Sequence, residues 1–210
     1  MKKQPESTGQ NNGLFIAIEG IDGSGTTTLI RNLLPELSAK GYEPFSTCEP
    51  STSEVGSYIR KVLKQKSKLS SSDVLALLFA TDRIIHYKSE IKPAIDQGKI
   101  VLSDRYLLSS LAYQTLEEEE KWVYALNSRV PAPDLTIFVD IDVESAQVRM
   151  AERKDRDFLE EVKYQEIIRG KYKFLLAKYF PGAFIVDGRN SPEKLTEICL
   201  EKIVQILRIS

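Results

Sequence analysis

Residues 14–29, LFIAIEGIDGSGTTTL, decide the fold of this chain. The apolar run that begins at Leu14 is typical of a buried parallel strand, and a helical pattern begins after Gly25. A glycine-rich turn joins them, and because glycine has no Cβ, such a turn can bring several backbone N–H groups close to one anion. The N-terminus of the following helix adds a partial positive charge. The stretch therefore predicts a strand, a phosphate-binding loop and the start of a helix.

This loop departs at one position from the usual pattern of glycine, four free positions, glycine, lysine and then serine or threonine. Gly20, Gly25 and Thr27 fit that pattern, whereas Thr26 occupies the lysine position. The lysine normally sets a positive charge against terminal phosphates, and a threonine hydroxyl offers only a hydrogen bond. A plain strand-to-helix turn is the alternative, but three glycines within six residues exceed what a turn needs.

Composition indicates a single domain without a nucleic-acid or membrane partner. The 210 residues carry 29 basic and 30 acidic side chains, so the net charge is −1 and no global field attracts polyanions. Residues 1–13 lack the apolar core of a signal peptide, and no later run reaches membrane-spanning length. Cys48 and Cys199 are too far apart in the sequence to form a metal-binding motif, and we expect both to be free thiols. We expect a disordered tail over 1–13, one domain over 14–210 and a cytoplasmic location.

Apolar runs and helical patterns alternate along the rest of the chain. Further strands are expected at 42–48, 99–103, 135–140 and 183–186. Residues 70–73 supply N-cap candidates for a long helix that is expected to run to about Ile91, with Pro93 and Gly98 at its end. These elements predict an α/β fold, a five-stranded parallel sheet with helices on both faces, in which ligands bind beyond the carboxyl ends of the strands. Four acidic residues fall near that edge: Glu19, Glu49, Asp104 and Asp140.

A charged segment, RKDRD at residues 153–157, interrupts the helical pattern between 143–152 and 158–179. Such a break is typical of a mobile lid, which we expect over about residues 153–160. A solvated run of charges is the alternative interpretation.

Several short motifs, taken together, resemble the thymidylate kinase family over nearly the whole chain after Gly13. They are the glycine loop, Glu49-Pro50, LFATDR at 78–83, DRY at 104–106 and AYQ at 112–114. The resemblance implies a phosphate-loop kinase with a short lid that transfers the terminal phosphoryl group of ATP to dTMP in dTTP biosynthesis. It also implies Mg²⁺ and a homodimer.

The resemblance assigns the donor nucleotide to the loop and the lid. Loop amides would bind the donor phosphates, with the Thr27 hydroxyl and Asp104 serving the metal. The expected donor-site residues are Gly20, Ile21, Asp22, Gly23, Ser24, Gly25, Thr26, Thr27, Thr28 and Arg153. The expected catalytic residues are Asp22, Arg105, Arg153 and Arg156. Either Arg153 or Arg156 is expected to replace the charge that Thr26 lacks.

The resemblance places the acceptor on side chains from several motifs. Thymine is expected against Phe79 with Arg83 at its edge, while Arg60 and Arg105 approach the acceptor phosphate. Phe79 could instead be an ordinary core residue. The full expected set is Asp22, Glu49, Pro50, Arg60, Phe79, Arg83, Arg105, Ser109, Tyr113 and Gln114.

Two further features concern the sugar and a missing arginine. Asp22 is expected near the 3′-hydroxyl, and Tyr113 where a ribose 2′-hydroxyl would clash, which would select deoxyribose by exclusion. The family usually carries an arginine immediately before Glu49, where this chain has Cys48.

Three functions follow as hypotheses. The leading one is an active dTMP kinase, slowed by the threonine at position 26. A second is a non-catalytic homologue that binds dTMP or dTTP as a sensor or partner subunit. The third is a kinase for another small phosphate acceptor, such as a different deoxynucleotide.

Overall fold

A computed structural model describes residues 13–65, 71–150 and 162–208. Its centre is one parallel sheet with the strand order β2-β3-β1-β4-β5. The strands are β1 Leu14–Gly20, β2 Pro44–Cys48, β3 Ile100–Asp104, β4 Leu135–Asp140 and β5 Phe184–Asp187. The prediction of a five-stranded parallel sheet is confirmed.

Helices connect the strands and cover both faces of the sheet. They are α1 Thr26–Ala39, α2 Glu54–Gln65, α3 Ser72–His86, α4 Lys92–Asp96, α5 Leu107–Gln114, α6 Glu120–Leu126, α7 Val143–Met150, α8 Val162–Tyr179 and α9 Pro192–Leu207. Along β1, Phe15 and Ala17 pack on one face with residues of α5 and α8. Ile16 and Ile18 pack on the other face with residues of α1 and α9. Because both faces of β1 are buried, its sequence is an apolar run rather than an alternation.

Strand register brings the functional loops to one edge. Asp104 at the end of β3 pairs with Ile18 of β1 on one side and with Cys48 of β2 on the other. The segments that follow these three strands therefore leave the sheet side by side, as expected for a ligand site beyond the carboxyl ends.

The long helix after residue 71 differs from the prediction. It does not end at Ile91: after α3 comes a π-helical turn, Tyr87–Ile91, and the chain then continues into α4. Pro93 lies in the first turn of α4, directly after the π-helical turn, and contributes no backbone N–H to the helix there. The second strand is also shorter than predicted and begins at Pro44.

Several expectations fall on residues that the structure does not describe. They are the N-terminal tail as far as residue 12, the lid at about 153–160, and both Arg153 and Arg156. Cys48 and Cys199 are free thiols. No helix in the described segments is both long enough and apolar enough to span a bilayer.

Candidate active site

The glycine loop between β1 and α1 has a backbone that few other residues could adopt. Gly23 and Gly25 have φ angles of 81° and 97°, in the left-handed region that favours glycine. A Cβ on Gly23 would lie 2.5 Å from the carbonyl oxygen of Ala146, so the space is closed as well. Gly25 caps α1 without a side chain, so no side-chain oxygen competes with an anion for the first-turn N–H groups.

A hydroxyl and a carboxylate meet beside the loop. The Thr27 hydroxyl donates a 2.5 Å hydrogen bond to Asp104 Oδ2, from the first turn of α1 to the end of β3. Within the described ranges, no three histidine, cysteine or acidic side chains group as metal ligands. One hydroxyl and one carboxylate suit Mg²⁺, which commonly keeps several waters and substrate phosphates in its shell.

Arg149, at the end of α7, is a residue that the sequence analysis did not single out. Its Nη1 donates to the carbonyl oxygen of Ser24 at 3.3 Å, and its Nη2 donates to that of Gly188 at 2.8 Å. A Cβ on Gly25 would lie 3.7 Å from Nη1, so the guanidinium lies against the glycine loop. The sequence did carry a signal for Arg149, because a basic residue at a helix end, just before the charged 153–157 segment, is a candidate for contacting phosphate.

A cavity of about 220 Å³ lies beside the loop, between α3, α5 and the segments that follow β2 and β3. Nine of the ten residues expected at the acceptor site line it, all except Arg60. Arg60 instead donates to the carbonyl oxygens of Pro50 and Ser51 and so ties α2 to the loop after β2. The nine are Asp22, Glu49, Pro50, Phe79, Arg83, Arg105, Ser109, Tyr113 and Gln114.

Asp22 joins the loop to this cavity. Its carboxylate accepts from Arg105 Nη2 at 2.7 Å and from the Tyr113 hydroxyl at 3.0 Å. Gln165 of α8 donates to the same carboxylate at 3.0 Å and accepts from the Asp22 backbone N–H at 3.2 Å. Burial raises the pKa of Tyr113 well above its usual range, so its hydroxyl keeps its proton and remains a donor.

Arg105 is held in an unfavourable backbone conformation. Its φ is 70°, the left-handed region that non-glycine residues rarely adopt. Its Nη1 donates to the Tyr172 hydroxyl at 3.2 Å and to Ser109 Oγ at 3.3 Å, and its guanidinium lies 5.3 Å from the centre of the Tyr113 ring. Its backbone N–H donates to the carbonyl oxygen of Ile18 at 2.9 Å, and its carbonyl oxygen accepts from Ser103 Oγ at 2.7 Å, so both the backbone and the side chain are fixed.

Glu19 is buried behind these residues and organises the start of α5. Its side chain accepts from the backbone N–H groups of Tyr106 at 3.0 Å and Ser109 at 3.3 Å, and from the Ser109 hydroxyl. Burial raises the pKa of Glu19, although the Ser109 hydrogen bonds offset part of that shift. The carboxyl group thus links the end of β1 to the wall of the cavity.

Arg83 is anchored on several sides while it lines the cavity. Its Nη2 donates to Glu49 Oε2 at 2.6 Å and to Ser110 Oγ at 2.7 Å, and its Nη1 donates to the side chain of Asn127. Only 1% of Arg83 is exposed. The sequence motifs did not indicate Asn127, because it comes from the end of α6.

Two buried polar atoms of the cavity wall lack a hydrogen-bond partner among the described residues. They are Arg83 Nε, a donor, and Gln114 Oε1, an acceptor. An unpaired buried polar group is costly, and both atoms belong to residues that line the cavity.

A central strand that runs into a glycine loop and a helix N-terminus, in a parallel sheet of this order, defines the phosphate-loop class of nucleotide-binding proteins. Comparison with known proteins gives the particular family. Residues 18–198 match the family model described as thymidylate kinase.

Curated relatives agree over most of the chain. A "Probable thymidylate kinase" of Pyrococcus horikoshii is 40% identical over 189 residues, which cover 87% of this chain and 92% of the relative. Relatives of the same description from Pyrobaculum aerophilum and Sulfurisphaera tokodaii are 38% and 37% identical, over 92% and 93% of this chain and 98% of each relative. The chain belongs to the thymidylate kinase family.

Proposed function

We propose that this protein transfers the terminal phosphoryl group of ATP to dTMP and so forms dTDP, the precursor of dTTP. The observation that carries the proposal is the cavity beside the glycine loop, whose lining includes the Phe79 ring, the Arg83 guanidinium group and the Gln114 side-chain amide. The edge of thymine presents a carbonyl oxygen next to an N–H group, one acceptor and one donor. The names of the relatives support the same acceptor.

The reaction needs two nucleotides in line and their phosphate charges neutralised. A phosphate oxygen of dTMP attacks the γ-phosphorus of ATP, and the bond from that phosphorus to the β-bridging oxygen breaks, so ADP leaves. The loop amides bind the donor phosphates, while Arg105 binds phosphate oxygens on the acceptor side. Asp22 belongs to the loop and also lines the cavity, so it stands between the two substrates.

The metal residues proposed are Thr27 and Asp104, whose oxygens are already in contact. Mg²⁺, when bound there with the donor phosphates, supplies positive charge that stabilises the transferring group. The 2.5 Å hydrogen bond orients both side chains before any ligand arrives.

The charge that Thr26 lacks is proposed to come from outside the loop. Arg149 already contacts Ser24 and lies against Gly25, which supports a role on the donor side. Either Arg153 or Arg156, which lie outside the described residues, remains proposed as the cation that closes from the lid over about 153–160 onto the β and γ phosphates. We expect slower turnover than in a loop with lysine.

Selection of deoxyribose is proposed to rest on Tyr113. Its hydroxyl is fixed by Asp22 at 3.0 Å, and its ring lies below the Arg105 guanidinium. A rigid ring at this place leaves no room to adjust to a ribose 2′-hydroxyl, so sterics would discriminate against it.

The assembly is proposed to be a homodimer of a single cytoplasmic domain, residues 14–210. The exposed face of α3 carries two large apolar side chains, Leu77 and Ile85, which are 48% and 38% exposed. Thr81 lies between them at helical spacing, so they form one stripe that a second copy could cover. Free thiols at Cys48 and Cys199 fit a reducing compartment.

The test is an assay of ADP formation by the purified protein with ATP, Mg²⁺ and a panel of nucleoside monophosphates. We expect turnover with dTMP to exceed turnover with dCMP, with ribothymidine monophosphate and with purine nucleoside monophosphates. Absence of ADP above background with every pyrimidine monophosphate would refute the kinase. If dTMP then still bound by calorimetry, the non-catalytic sensor or partner subunit would be supported instead.

A further inference from the structure

His86, the single histidine of the sequence, ends α3 and is 1% exposed. Its Nδ1 lies 3.1 Å from Glu49 Oε1. Its Nε2 lies 2.6 Å from Thr47 Oγ1 and 3.5 Å from Glu90 Oε2, a residue of the π-helical turn that follows directly. Both ring nitrogens therefore have close polar partners, and neither faces solvent.

Hydrogen bonds on both sides fix the imidazole ring. The Thr47 hydroxyl lies within hydrogen-bond distance of His86 Nε2, at 2.6 Å, and of Glu90 Oε2, at 2.9 Å. On the other side a carboxylate oxygen only accepts, so His86 Nδ1–H donates to Glu49 Oε1 at 3.1 Å. The contact between His86 and Glu49 is therefore a directed hydrogen bond.

Glu49 passes this orientation to the cavity. One of its oxygens contacts His86, and the other accepts from Arg83 Nη2 at 2.6 Å. Arg83 is one of the residues that line the cavity. A rotation of the Glu49 carboxylate would release one of the hydrogen bonds that fix the Arg83 guanidinium.

We infer that His86 is a positioning residue for the acceptor nucleotide, which acts through Glu49 to fix Arg83 against the base. The inference rests on the proposed function, because it takes the base of dTMP as the ligand of Arg83. It assigns the imidazole Nδ1, rather than Nε2, the role that matters for acceptor affinity.

Two amide variants separate the two ring nitrogens. His86→Asn places an amide near the position of Nδ1 and keeps a partner for Glu49, while His86→Gln places it near Nε2 and keeps partners for Thr47 and Glu90. We expect dTMP affinity and KM to weaken about tenfold in His86→Gln, as for loss of one hydrogen bond to a charged group, and less than about threefold in His86→Asn. The value of kcat and the KM for ATP should stay within about twofold in both.

The measurements are calorimetric titration with dTMP and steady-state kinetics, with thermal unfolding of each ligand-free variant as the folding control. Equal losses of affinity in the two variants, or a loss in kcat rather than in KM, would show a purely structural histidine and overturn the inference. Unchanged affinity in His86→Gln would also overturn it. If the wild-type protein itself does not bind dTMP, the proposed function falls together with the inference.

Discussion

The cavity proposed to bind the acceptor and the glycine loop proposed to bind the donor are built in different ways. In the cavity, buried side chains anchor one another: Arg83 is held by Glu49, Ser110 and Asn127 before a ligand is present. At the loop, the binding groups are backbone amides shaped by left-handed glycines, and the helix position that would carry lysine has Thr26. The cations proposed for the loop come from separate segments, α7 and the region after it.

This difference separates recognition from charge neutralisation. A preorganised cavity supplies affinity and selectivity for one ligand at little reorganisation cost. A loop of amides binds any terminal phosphate chain and depends on added cations for the reaction itself. Substitutions in the two regions should therefore affect different kinetic constants.

The largest effect is expected at Arg105, which stands where the two regions meet. Arg105→Ala removes the partner of Asp22 and the cation that is proposed to bind the acceptor phosphate, so kcat should fall by at least about a hundredfold. Arg105→Lys should recover only part of the rate, because an ammonium group cannot make two parallel hydrogen bonds. Initial rates of ADP formation at saturating ATP and dTMP check this prediction.

Thermal unfolding of the two Arg105 variants is the matched control. If Arg105→Ala folds like the wild type and retains more than about a tenth of its rate, the assignment of Arg105 to the transition state is wrong.

An intermediate effect is expected on the donor side, at Arg149. Arg149→Ala should raise the KM for ATP about tenfold, the effect of one lost contact with a charged group, and leave dTMP affinity unchanged. Thr26→Lys in the Arg149→Ala background should restore part of the loss if the two positions supply the same charge. Kinetics with ATP varied at fixed dTMP measure both variants.

The contrary result is informative about the lid. Suppose that Arg149→Ala leaves the KM for ATP unchanged, and that replacing both Arg153 and Arg156 with alanine abolishes turnover while dTMP still binds. The missing charge then comes from the lid alone. No gain from Thr26→Lys in any background would mean that the loop does not admit a lysine.

The smallest effect is expected at Glu19, which connects the two regions. Its folded-state pKa is raised by burial, so the stability it contributes is present below its unfolded pKa and is lost as the pH rises through the folded pKa. Glu19→Gln cannot ionise and keeps the acceptor for the Tyr106 N–H. The Tm of the variant should rise relative to that of the wild type as the pH increases above 4.5, by a few degrees if about 1 kcal/mol is involved.

Unfolding followed by circular dichroism across that pH range tests the sign. A difference in Tm between variant and wild type that stays constant with pH would show that Glu19 does not change protonation there.

The sequence was sufficient for the sheet and for most of the cavity wall. The apolar run of β3 ends at Asp104 and Arg105, while Glu49 follows the half-buried strand β2, whose sequence is PFSTC. Because both strands are parallel neighbours, their ends predicted a common edge. The motif at 78–83 placed Phe79 and Arg83 on one helix, and both line the cavity. Their catalytic and binding roles stay predictions.

Other features of the site and the fold depend on contacts between residues far apart in the chain, which leave no local pattern in the sequence. Gln165 and Tyr172 reach the cavity region from α8, and their spacing is indistinguishable from that of ordinary core residues. The π-helical turn after His86 was missed because Pro93 is a strong local signal for a helix end, while the backbone actually widens and continues. The partners of Arg60, two backbone carbonyls, likewise follow only from the folded loop.

The left-handed backbone of Arg105 sets fold stability and function against each other. A non-glycine residue at a φ of 70° costs on the order of 1 kcal/mol, which a glycine would not incur. Considering backbone energy alone, replacement by glycine would relieve the fold and remove the guanidinium from the site. Stabilising substitutions selected for heat resistance alone would therefore tend to erase this arginine, and its retention in an engineered variant needs selection for turnover as well.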